Sequence, residues 1–190
     1  MTSALKSPYI SEADYLSAEL AGQEKHEYVS GRVFAMSGAS IRHNQIAVNV
    51  LFALRSKASS QCRTSISDIK FKASQLYYYP DVMVSCAPKS DEYCESQPCL
   101  IVEVLSESTE SVDRGEKLHN YQKVLELEAY LLVSQKERRV DVFRRSGAFW
   151  RFESVTEGGE IELSCPEMVL TLDSVYQGVD VGAGEVLRVG

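Results

Sequence analysis

Two short apolar segments of the sequence each carry one carboxylate, and together they constrain the fold more than any other feature. The first is Tyr79-Pro80-Asp81-Val82-Met83-Val84 and the second is Leu100-Ile101-Val102-Glu103-Val104-Leu105. The second segment is nearly all apolar, which is typical of a central strand covered on both faces. A carboxylate buried there is costly unless something opposes its charge. If the strands bring Asp81 and Glu103 together, they form a site for a hard divalent cation, which prefers oxygen ligands.

Each carboxylate also has an alternative explanation. Asp81 follows Pro80, which lacks a backbone donor and favours a strand start, so Asp81 could simply begin a strand and face solvent. Glu103 could instead form a structural ion pair with an arginine or lysine of the core. If the two side chains point to opposite faces of the sheet, the cation-site hypothesis fails.

The size and composition indicate a globular protein. The 190 residues fit one domain over 1–190, and the 44% hydrophobic content is enough for a sizeable core. No apolar run reaches the roughly 18 to 20 residues that cross a bilayer. The first eight residues lack an apolar signal core, so we expect a cytoplasmic protein without a membrane segment.

The five cysteines are odd in number and form no C-x-x-C pair. This pattern predicts neither a disulfide framework nor a zinc site. Reduced thiols in a cytoplasmic protein are the simpler expectation.

The hydrophobic patterns predict strands in the middle of the chain with helices around them, which indicates a mixed α/β sandwich. Ser11 and the polar turn Ser30-Gly31 mark a helix start and a hairpin turn. The predicted helices are 11–25, 40–58 and 112–127, and the predicted strands are 26–29, 32–36, 64–71, 77–85, 100–105, 129–134, 139–144 and 149–154.

The third predicted helix carries three polar residues on one face. Asp113, Lys117 and Tyr121 follow one another at spacings of four. Asp113 and Lys117 could form a solvated ion pair, which is common and weak. In the functional interpretation, Lys117 leans back towards Glu103 and neutralises charge that builds up in a transition state.

Glu27 and His43 complete the set of candidate residues. Glu27 lies in Lys25-His26-Glu27-Tyr28, and His43 lies in the first turn of the second predicted helix. A lone histidine is more often structural than a ligand, and a glutamate in such a stretch is more often exposed.

The order of these motifs resembles the Uma2 family of restriction-endonuclease-like proteins, within the PD-(D/E)xK nuclease superfamily. The resemblance covers roughly residues 10 to 180, and the most specific element is Glu-Val-Leu-Ser-x-Ser-Thr at 103–109. The motifs that carry it, in order, are 26–33, His43, 79–84, 102–109, Asp113-x-x-x-Lys117-x-x-x-Tyr121 and 129–133.

The resemblance implies an α/β (α+β) fold with a restriction-endonuclease-like core, a mixed β-sheet flanked by helices. Asp81 and Glu103 match the two carboxylates of the superfamily pattern. That pattern places a lysine two residues after Glu103, where this chain has Leu105. Lys117 of the following helix is the natural substitute, and its rivals are Lys70 and Lys72.

The resemblance further implies a Mg²⁺-dependent endonuclease that hydrolyses DNA phosphodiester bonds, with Mn²⁺ as a possible substitute. Asp81, Glu103 and Glu27 are the expected metal ligands, and Asp81, Glu103 and Lys117 the expected catalytic residues. Lys117 would position the attacking water or the phosphate. His43 would orient Glu27 or the phosphate, and Tyr121 is a supporting residue.

Two other functions stay open. The fold could be catalytically inactive and act as a DNA-binding or protein-interaction module, which the missing in-strand lysine favours. A hydrolase with Ser106 or Cys99 as nucleophile is the third interpretation, although no G-x-S-x-G element is present.

The expected partners are DNA and a second copy of the chain. A net charge of −7 argues against non-specific coating of nucleic acid, but a carboxylate site is acidic by design. Four arginines near one strand could contact phosphates or could balance acidic residues on a solvated face: Arg138, Arg139, Arg144 and Arg145. Relatives in the superfamily are often dimers, and the edge of the last predicted hairpin offers a pairing surface.

Overall fold

A computed structural model describes residues 8–182 of the chain. The opening residues 1–7, on which part of the signal-segment prediction rests, lie outside the described residues. Within 8–182, no helix is both long enough and apolar enough to span a membrane.

The described part contains five α-helices, one π-helical turn and thirteen strands. The helices are α1 Glu12–Ala21, α2 Ile41–Lys57, α3 Glu110–Val112, α4 Leu118–Tyr121 and α5 Leu172–Val175, with the π-helical turn at Asp113–Lys117. The strands are β1 His26–Val29, β2 Arg32–Ala35, β3 Arg63–Ile66, β4 Lys70–Ala73, β5 Leu76–Tyr78, β6 Val82–Ser85, β7 Cys94–Glu95, β8 Leu100–Val104, β9 Ala129–Val133, β10 Arg139–Ser146, β11 Phe149–Thr156, β12 Glu160–Ser164 and β13 Glu167–Thr171.

Most strands belong to two sheets. The larger sheet has the order β11-β10-β9-β8-β6-β3, and the smaller has the order β2-β1-β5-β4-β7. In the larger sheet β8 is parallel to β9 and antiparallel to β6, so this sheet is mixed. The predicted α+β class with a mixed sheet and flanking helices is therefore confirmed.

The central position of β8 follows from its sequence. All five of its residues are buried, because both faces of the strand are covered. Val102 and Val104 pack in the cluster that includes α2, whereas Ile101 packs in the cluster that includes Tyr121. Alternate residues of a strand share a face, so Glu103 points to the same side as Ile101, towards the segment from α3 to α4.

Two local signals in the sequence have the predicted effect. The hydroxyl oxygen of Ser11 accepts a hydrogen bond from the backbone N–H of Asp14 at 3.1 Å and so caps the start of α1. Ser30 and Gly31 both have positive φ, 47° and 90°, in the turn between β1 and β2. Positive φ at both turn positions matches the twist of a two-residue hairpin, and glycine adopts it without strain.

Two predicted single strands are wrong, because each is broken by a turn. The predicted strand 77–85 forms β5 and β6, which belong to different sheets. Pro80 has no backbone N–H to continue the ladder, so the chain leaves one sheet there and enters the other. The predicted strand 64–71 is divided in the same way into β3 and β4.

The predicted helix 112–127 is also wrong at its ends. Helical structure begins at Glu110, passes through the π-helical turn and ends at Tyr121. Beyond it, the Arg145 guanidinium donates hydrogen bonds to three backbone carbonyls, at 2.6 to 3.1 Å: those of Gln122, Val124 and Leu127. Arg145 thereby satisfies carbonyl groups that a helix would have paired internally.

The expectation of reduced thiols is wrong for four cysteines. Disulfides join Cys62 to Cys86 and Cys99 to Cys165, and Cys94 is free. Sequence separations of 24 and 66 residues carry no signal of this pairing, because it depends on how the strands bring distant segments together.

Candidate active site

The register of two neighbouring strands brings Asp81 to Glu103. In the antiparallel pair of β6 and β8, Val82 lies opposite Val102. Asp81, one residue before Val82, therefore comes opposite Glu103, one residue after Val102. The backbone N–H of Asp81 donates to Glu103 Oε2 at 3.3 Å, and that of Val104 donates to Asp81 Oδ2 at 2.7 Å. Each carboxylate therefore accepts a hydrogen bond from the backbone beside the other, which places Asp81 and Glu103 at the same end of the strand pair.

Lys117 lies beside Glu103 and two other carboxylates. Its Nζ lies 3.1 Å from Glu103 Oε1, 3.0 Å from Glu27 Oε1 and 3.2 Å from Asp113 Oδ1. The side chain is 6% exposed, and it belongs to the π-helical turn. A π-helical turn widens the helix locally and is frequent at functional sites.

The rival lysines lie elsewhere. Lys72 Nζ lies 3.3 Å from a carboxylate oxygen of Glu12, and Lys70 Nζ lies 5.4 Å from the centre of the Tyr79 ring. Leu105, at the position where the superfamily pattern has lysine, is buried in the apolar cluster that contains Tyr121. The amine that reaches Glu103 thus comes from the helix and not from the strand.

Aromatic side chains enclose this group of charges. The Tyr121 hydroxyl donates a hydrogen bond to Glu103 Oε1 at 3.0 Å, and the side chain is fully buried. The Tyr78 ring centre lies 5.5 Å from Lys117 Nζ, within the range of a cation–π contact. Tyr121 therefore contacts Glu103 and fixes one of its oxygens.

His43 contacts Asp81. Its Nε2 lies 3.2 Å from Asp81 Oδ2. Burial lowers the pKa of His43, but the hydrogen bond to Asp81 and the negative charge of Asp81 raise it, and the net shift is upward. His43 is therefore placed to hold the Asp81 carboxylate and not Glu27.

Replacing His43 by glutamine is expected to reduce stability in a pH-dependent way. A raised folded-state pKa stabilises the fold fully below the ordinary histidine value of about 6.5, and this contribution is lost as pH rises through the folded pKa. The loss of unfolding free energy in His43→Gln should therefore be larger near pH 6 than near pH 9. Urea unfolding of the metal-free protein measures this loss at each pH. The exposed His119→Gln is the control. A loss in His43→Gln that does not depend on pH would contradict the assignment.

The charges of the site are unbalanced. Four carboxylates face two groups that can be positive, Lys117 and His43, so full ionisation leaves two negative charges uncompensated. These carboxylates are Glu27, Asp81, Glu103 and Asp113.

Burial raises the pKa of Glu103 well above its usual range. Lys117 opposes this upward shift, and the neighbouring carboxylates add to it. Burial lowers the pKa of Lys117, but the surrounding carboxylates raise it by more than burial lowers it. Lys117 therefore stays protonated at neutral pH.

The donor set fits a divalent cation by chemistry and by charge. Carboxylate oxygens are the ligands that Mg²⁺ prefers, and a divalent ion would cancel the excess negative charge. Asp113 Oδ1 is buried and lies 3.2 Å from Lys117 Nζ, but it accepts no hydrogen bond. Among residues 8–182, the one group of three metal-ligand atoms within 4.8 Å of one another consists of cysteine sulfurs. Three of the four carboxylates of this site, those of Glu27, Glu103 and Asp113, lie around Lys117 Nζ, whereas that of Asp81 lies beside His43.

Asp113 belongs to this buried group of charges, although the sequence analysis did not include it among the expected metal ligands or catalytic residues. The solvated ion pair considered for Asp113 and Lys117 is wrong, because both residues are buried, 2% and 5% exposed. The spacing of four towards Lys117 was the available signal. It could not show burial, which depends on the packing of the π-helical turn against the sheet.

The four arginines all have partners within the chain. Arg138 and Arg139 lie at the start of β10 and pair with acidic side chains, whereas Arg144 and Arg145 lie near its other end. Arg144 pairs with Glu153 at 2.8 Å, and Arg145 contacts backbone carbonyls. The interpretation that they balance acidic residues fits Arg138, Arg139 and Arg144.

The mixed sheet carries Glu103 on β8 and Asp81 just before β6, with the buried Lys117 of the π-helical turn beside Glu103, and this is the arrangement expected of a restriction-endonuclease-like fold. The model of the Uma2 family, described as "Putative restriction endonuclease", matches residues 13–173, and the chain belongs to this family. The predicted resemblance is thereby confirmed.

Two proteins of one organism and one solved structure are similar to the chain. The chain is 34% identical over 179 residues to "Uncharacterized protein slr1290" of Synechocystis sp. (strain ATCC 27184 / PCC 6803 / Kazusa), covering 90% of this chain and 94% of that protein. It is 33% identical over 164 residues to "Uncharacterized protein sll1609" of the same organism, covering 82% and 93%. The fold matches "a putative nuclease belonging to DUF820 from Anabaena variabilis ATCC 29413" with a TM-score of 0.71 and 16% identity, over 86% of this chain and 98% of that one.

Proposed function

We propose that this protein is a metal-dependent endonuclease that hydrolyses phosphodiester bonds in DNA, with Asp81, Glu103 and Lys117 as its catalytic residues. The observation that carries the proposal is the 3.1 Å contact between Lys117 Nζ and Glu103 Oε1. This contact gives Glu103 the amine that Leu105 cannot supply. Family membership and the fold support the same class of reaction.

Asp81 and Glu103 would hold the metal ion, Mg²⁺ or Mn²⁺ in its place, and Glu27 is the predicted third ligand. When bound, the ion lowers the pKa of a water molecule and stabilises the charged transition state of phosphodiester hydrolysis. Glu103 is suited to this role because its two oxygens face different partners. Oε1 accepts hydrogen bonds from Lys117 and Tyr121, whereas Oε2 faces the backbone of Asp81.

The side chains around the two carboxylates position them and supply positive charge. Lys117 keeps its proton and can donate to a phosphate oxygen or to the attacking water. Tyr121 fixes the orientation of Glu103, and His43 does the same for Asp81. Lys117 is held by carboxylates from β1, β8 and its own π-helical turn, so its ammonium group stays in one place before substrate arrives.

A non-catalytic module is the second candidate, and one observation favours it. Lys117 Nζ is already surrounded by three carboxylate oxygens, at 3.0 to 3.2 Å. In an inactive member of the family, such a lysine would only neutralise the buried acids and stabilise the fold. DNA cleavage distinguishes the two candidates.

The test is cleavage of supercoiled plasmid and of a labelled duplex by the full chain. We expect cleavage with Mg²⁺ or Mn²⁺, none with EDTA, and none by the combined variant Asp81→Ala, Glu103→Ala and Lys117→Ala. The loss follows because the variant lacks both metal ligands and the ammonium group.

A matched control guards against contaminating nucleases and general damage. The combined variant Glu107→Ala, Glu126→Ala and Lys123→Ala removes two acids and one lysine that are all exposed. It should cleave as the wild type does. Cleavage that persists after Asp81, Glu103 and Lys117 are removed would exclude the proposed site, and a wild type without cleavage on any duplex, single-stranded or branched substrate would favour the binding module.

We also propose that the protein works as a homodimer, since a cut through both strands of DNA needs two centres. Among the described residues β11 is an outermost strand of the larger sheet, and Phe149 and Phe152 on it are 78% and 59% exposed. An exposed apolar edge of this kind is a natural pairing surface. Light scattering should give the mass of two chains for the wild type and of one chain for Phe152→Asp; a monomeric wild type would contradict the proposal.

A further inference from the structure

Four cysteines from separate segments of the chain meet at one place. Cys62 precedes β3, Cys86 follows β6, Cys99 precedes β8 and Cys165 lies in the turn between β12 and β13. They form two disulfides, and these two disulfides touch each other. The Sγ atom of Cys86 lies 3.3 Å from that of Cys165 and 4.0 Å from that of Cys99, although Cys86 is bonded to neither.

The spacing of the sulfurs matches a tetrahedral metal centre. With Zn–S bonds of about 2.3 Å, the sulfurs of a four-cysteine zinc site lie about 3.8 Å apart. The two distances from the Cys86 sulfur to the other disulfide, 3.3 Å and 4.0 Å, bracket this value, and Cys62 is bonded to Cys86. The sulfurs of Cys86, Cys99 and Cys165 all lie within 4.8 Å of one another. Two disulfides whose only role was to cross-link distant segments would not have to lie next to each other.

We propose that the reduced protein binds one Zn²⁺ through Cys62, Cys86, Cys99 and Cys165. Reduction by a phosphine consumes two phosphines and two waters, breaks both S–S bonds, and yields four thiols and two phosphine oxides. Binding of the ion then releases the four thiol protons, since thiolates are the ligands. The paired disulfides and the zinc-bound thiolates are two forms of the same cluster.

The cluster lies away from the carboxylate site. Cys86 follows the end of β6 and Cys99 precedes the start of β8, whereas Asp81 precedes the start of β6 and Glu103 lies near the end of β8. Because the two strands are antiparallel, the cysteines and the carboxylates sit at opposite ends of the strand pair. The ion would fasten the β12–β13 turn to the sheet.

The two sites also differ in the metals they select. Thiolates are soft ligands that favour Zn²⁺ over Mg²⁺, and carboxylates favour Mg²⁺. The zinc site therefore does not depend on the proposed nuclease activity, and its test needs no DNA.

Cobalt gives the most direct measurement, because a tetrahedral Co²⁺–thiolate centre has intense d–d and sulfur-to-metal charge-transfer absorption. The full chain is reduced with tris(2-carboxyethyl)phosphine without oxygen, its five free thiols are confirmed by mass spectrometry, and Co²⁺ is titrated in. We expect saturation at one Co²⁺ per chain with tetrahedral bands, and loss of these bands when one equivalent of Zn²⁺ is added.

Two variants separate the cluster from other thiols. Cys165→Ser should weaken Co²⁺ binding by at least about 10-fold, because it leaves three thiolates. The matched control is Cys94→Ser, since Cys94 is the free cysteine outside the cluster, and it should bind as the wild type does. Cys62→His, which keeps four ligands, should retain one Co²⁺ per chain with shifted d–d bands even if Cys165→Ser does not fold. The proposal is overturned if the reduced wild type shows no tetrahedral bands, or if Cys94→Ser loses them while Cys165→Ser keeps them.

Discussion

Replacing Lys117 by methionine should lower the free energy of unfolding by about 3–5 kcal/mol, the cost of leaving buried charge without its partner. Methionine keeps most of the apolar volume but removes the ammonium group that faces Glu27, Glu103 and Asp113. Urea unfolding with EDTA present measures the loss. The exposed Lys123→Met is the matched control and should change stability by less than about 0.5 kcal/mol.

The loss should depend on pH in a defined direction. The raised pKa of Lys117 means that its stabilising contribution is present below the ordinary lysine value of about 10.4 and is lost only as pH rises through the folded pKa. At neutral pH the wild type therefore has the full contribution. In the variant, acidification protonates the unpaired carboxylates, so the deficit should shrink from about pH 8 to pH 5. A deficit that stays constant over this range would mean that Lys117 acts through packing alone.

Replacing Glu103 by glutamine should separate activity from stability. Cleavage should fall by at least about 100-fold, because the amide cannot serve as an anionic metal ligand. The metal-free stability near pH 8 should not fall by more than about 1 kcal/mol, since glutamine keeps an acceptor for Lys117 and Tyr121. Glu107→Gln, an exposed glutamate of the same motif, is the control and should cleave normally.

The sign of the pH effect on Glu103 is opposite to that of an ordinary ion-paired acid. Its folded pKa is raised, so Glu103 favours the fold at low pH, and that contribution is lost as pH rises from about 4.3 through the folded pKa. Relative to wild type, Glu103→Gln should therefore gain stability as pH rises from about 4 to 8. If cleavage is kept, or if the variant loses several kcal/mol near pH 8, the assigned role of Glu103 is wrong.

The sequence was sufficient for the features that depend on local pattern. The apolar run around Glu103 predicted a central strand, and β8 is one. The spacing of four placed Lys117 and Tyr121 on one helical face, and both reach Glu103 Oε1. Asp81 and Glu103 lie at the same end of the strand pair because Pro80 precedes β6 and the antiparallel register of β6 and β8 sets their positions.

Features that depend on tertiary contacts were out of reach. The division of 77–85 between two sheets follows from which strands the chain pairs with on either side of Pro80. The burial of Asp113 depends on the π-helical turn, which no periodicity in the sequence predicts. The four clustered cysteines come from distant segments, and their spacing along the chain resembles no metal or disulfide motif.

Anomalous diffraction from a crystal soaked in Mn²⁺ tests the central claim most directly. The account predicts an anomalous peak within about 2.0–2.3 Å of carboxylate oxygens of both Asp81 and Glu103, with Lys117 beside it, and no peak in Glu103→Gln crystals. A wild-type crystal with no ion at Asp81 and Glu103, at Mn²⁺ concentrations that support cleavage, would contradict it.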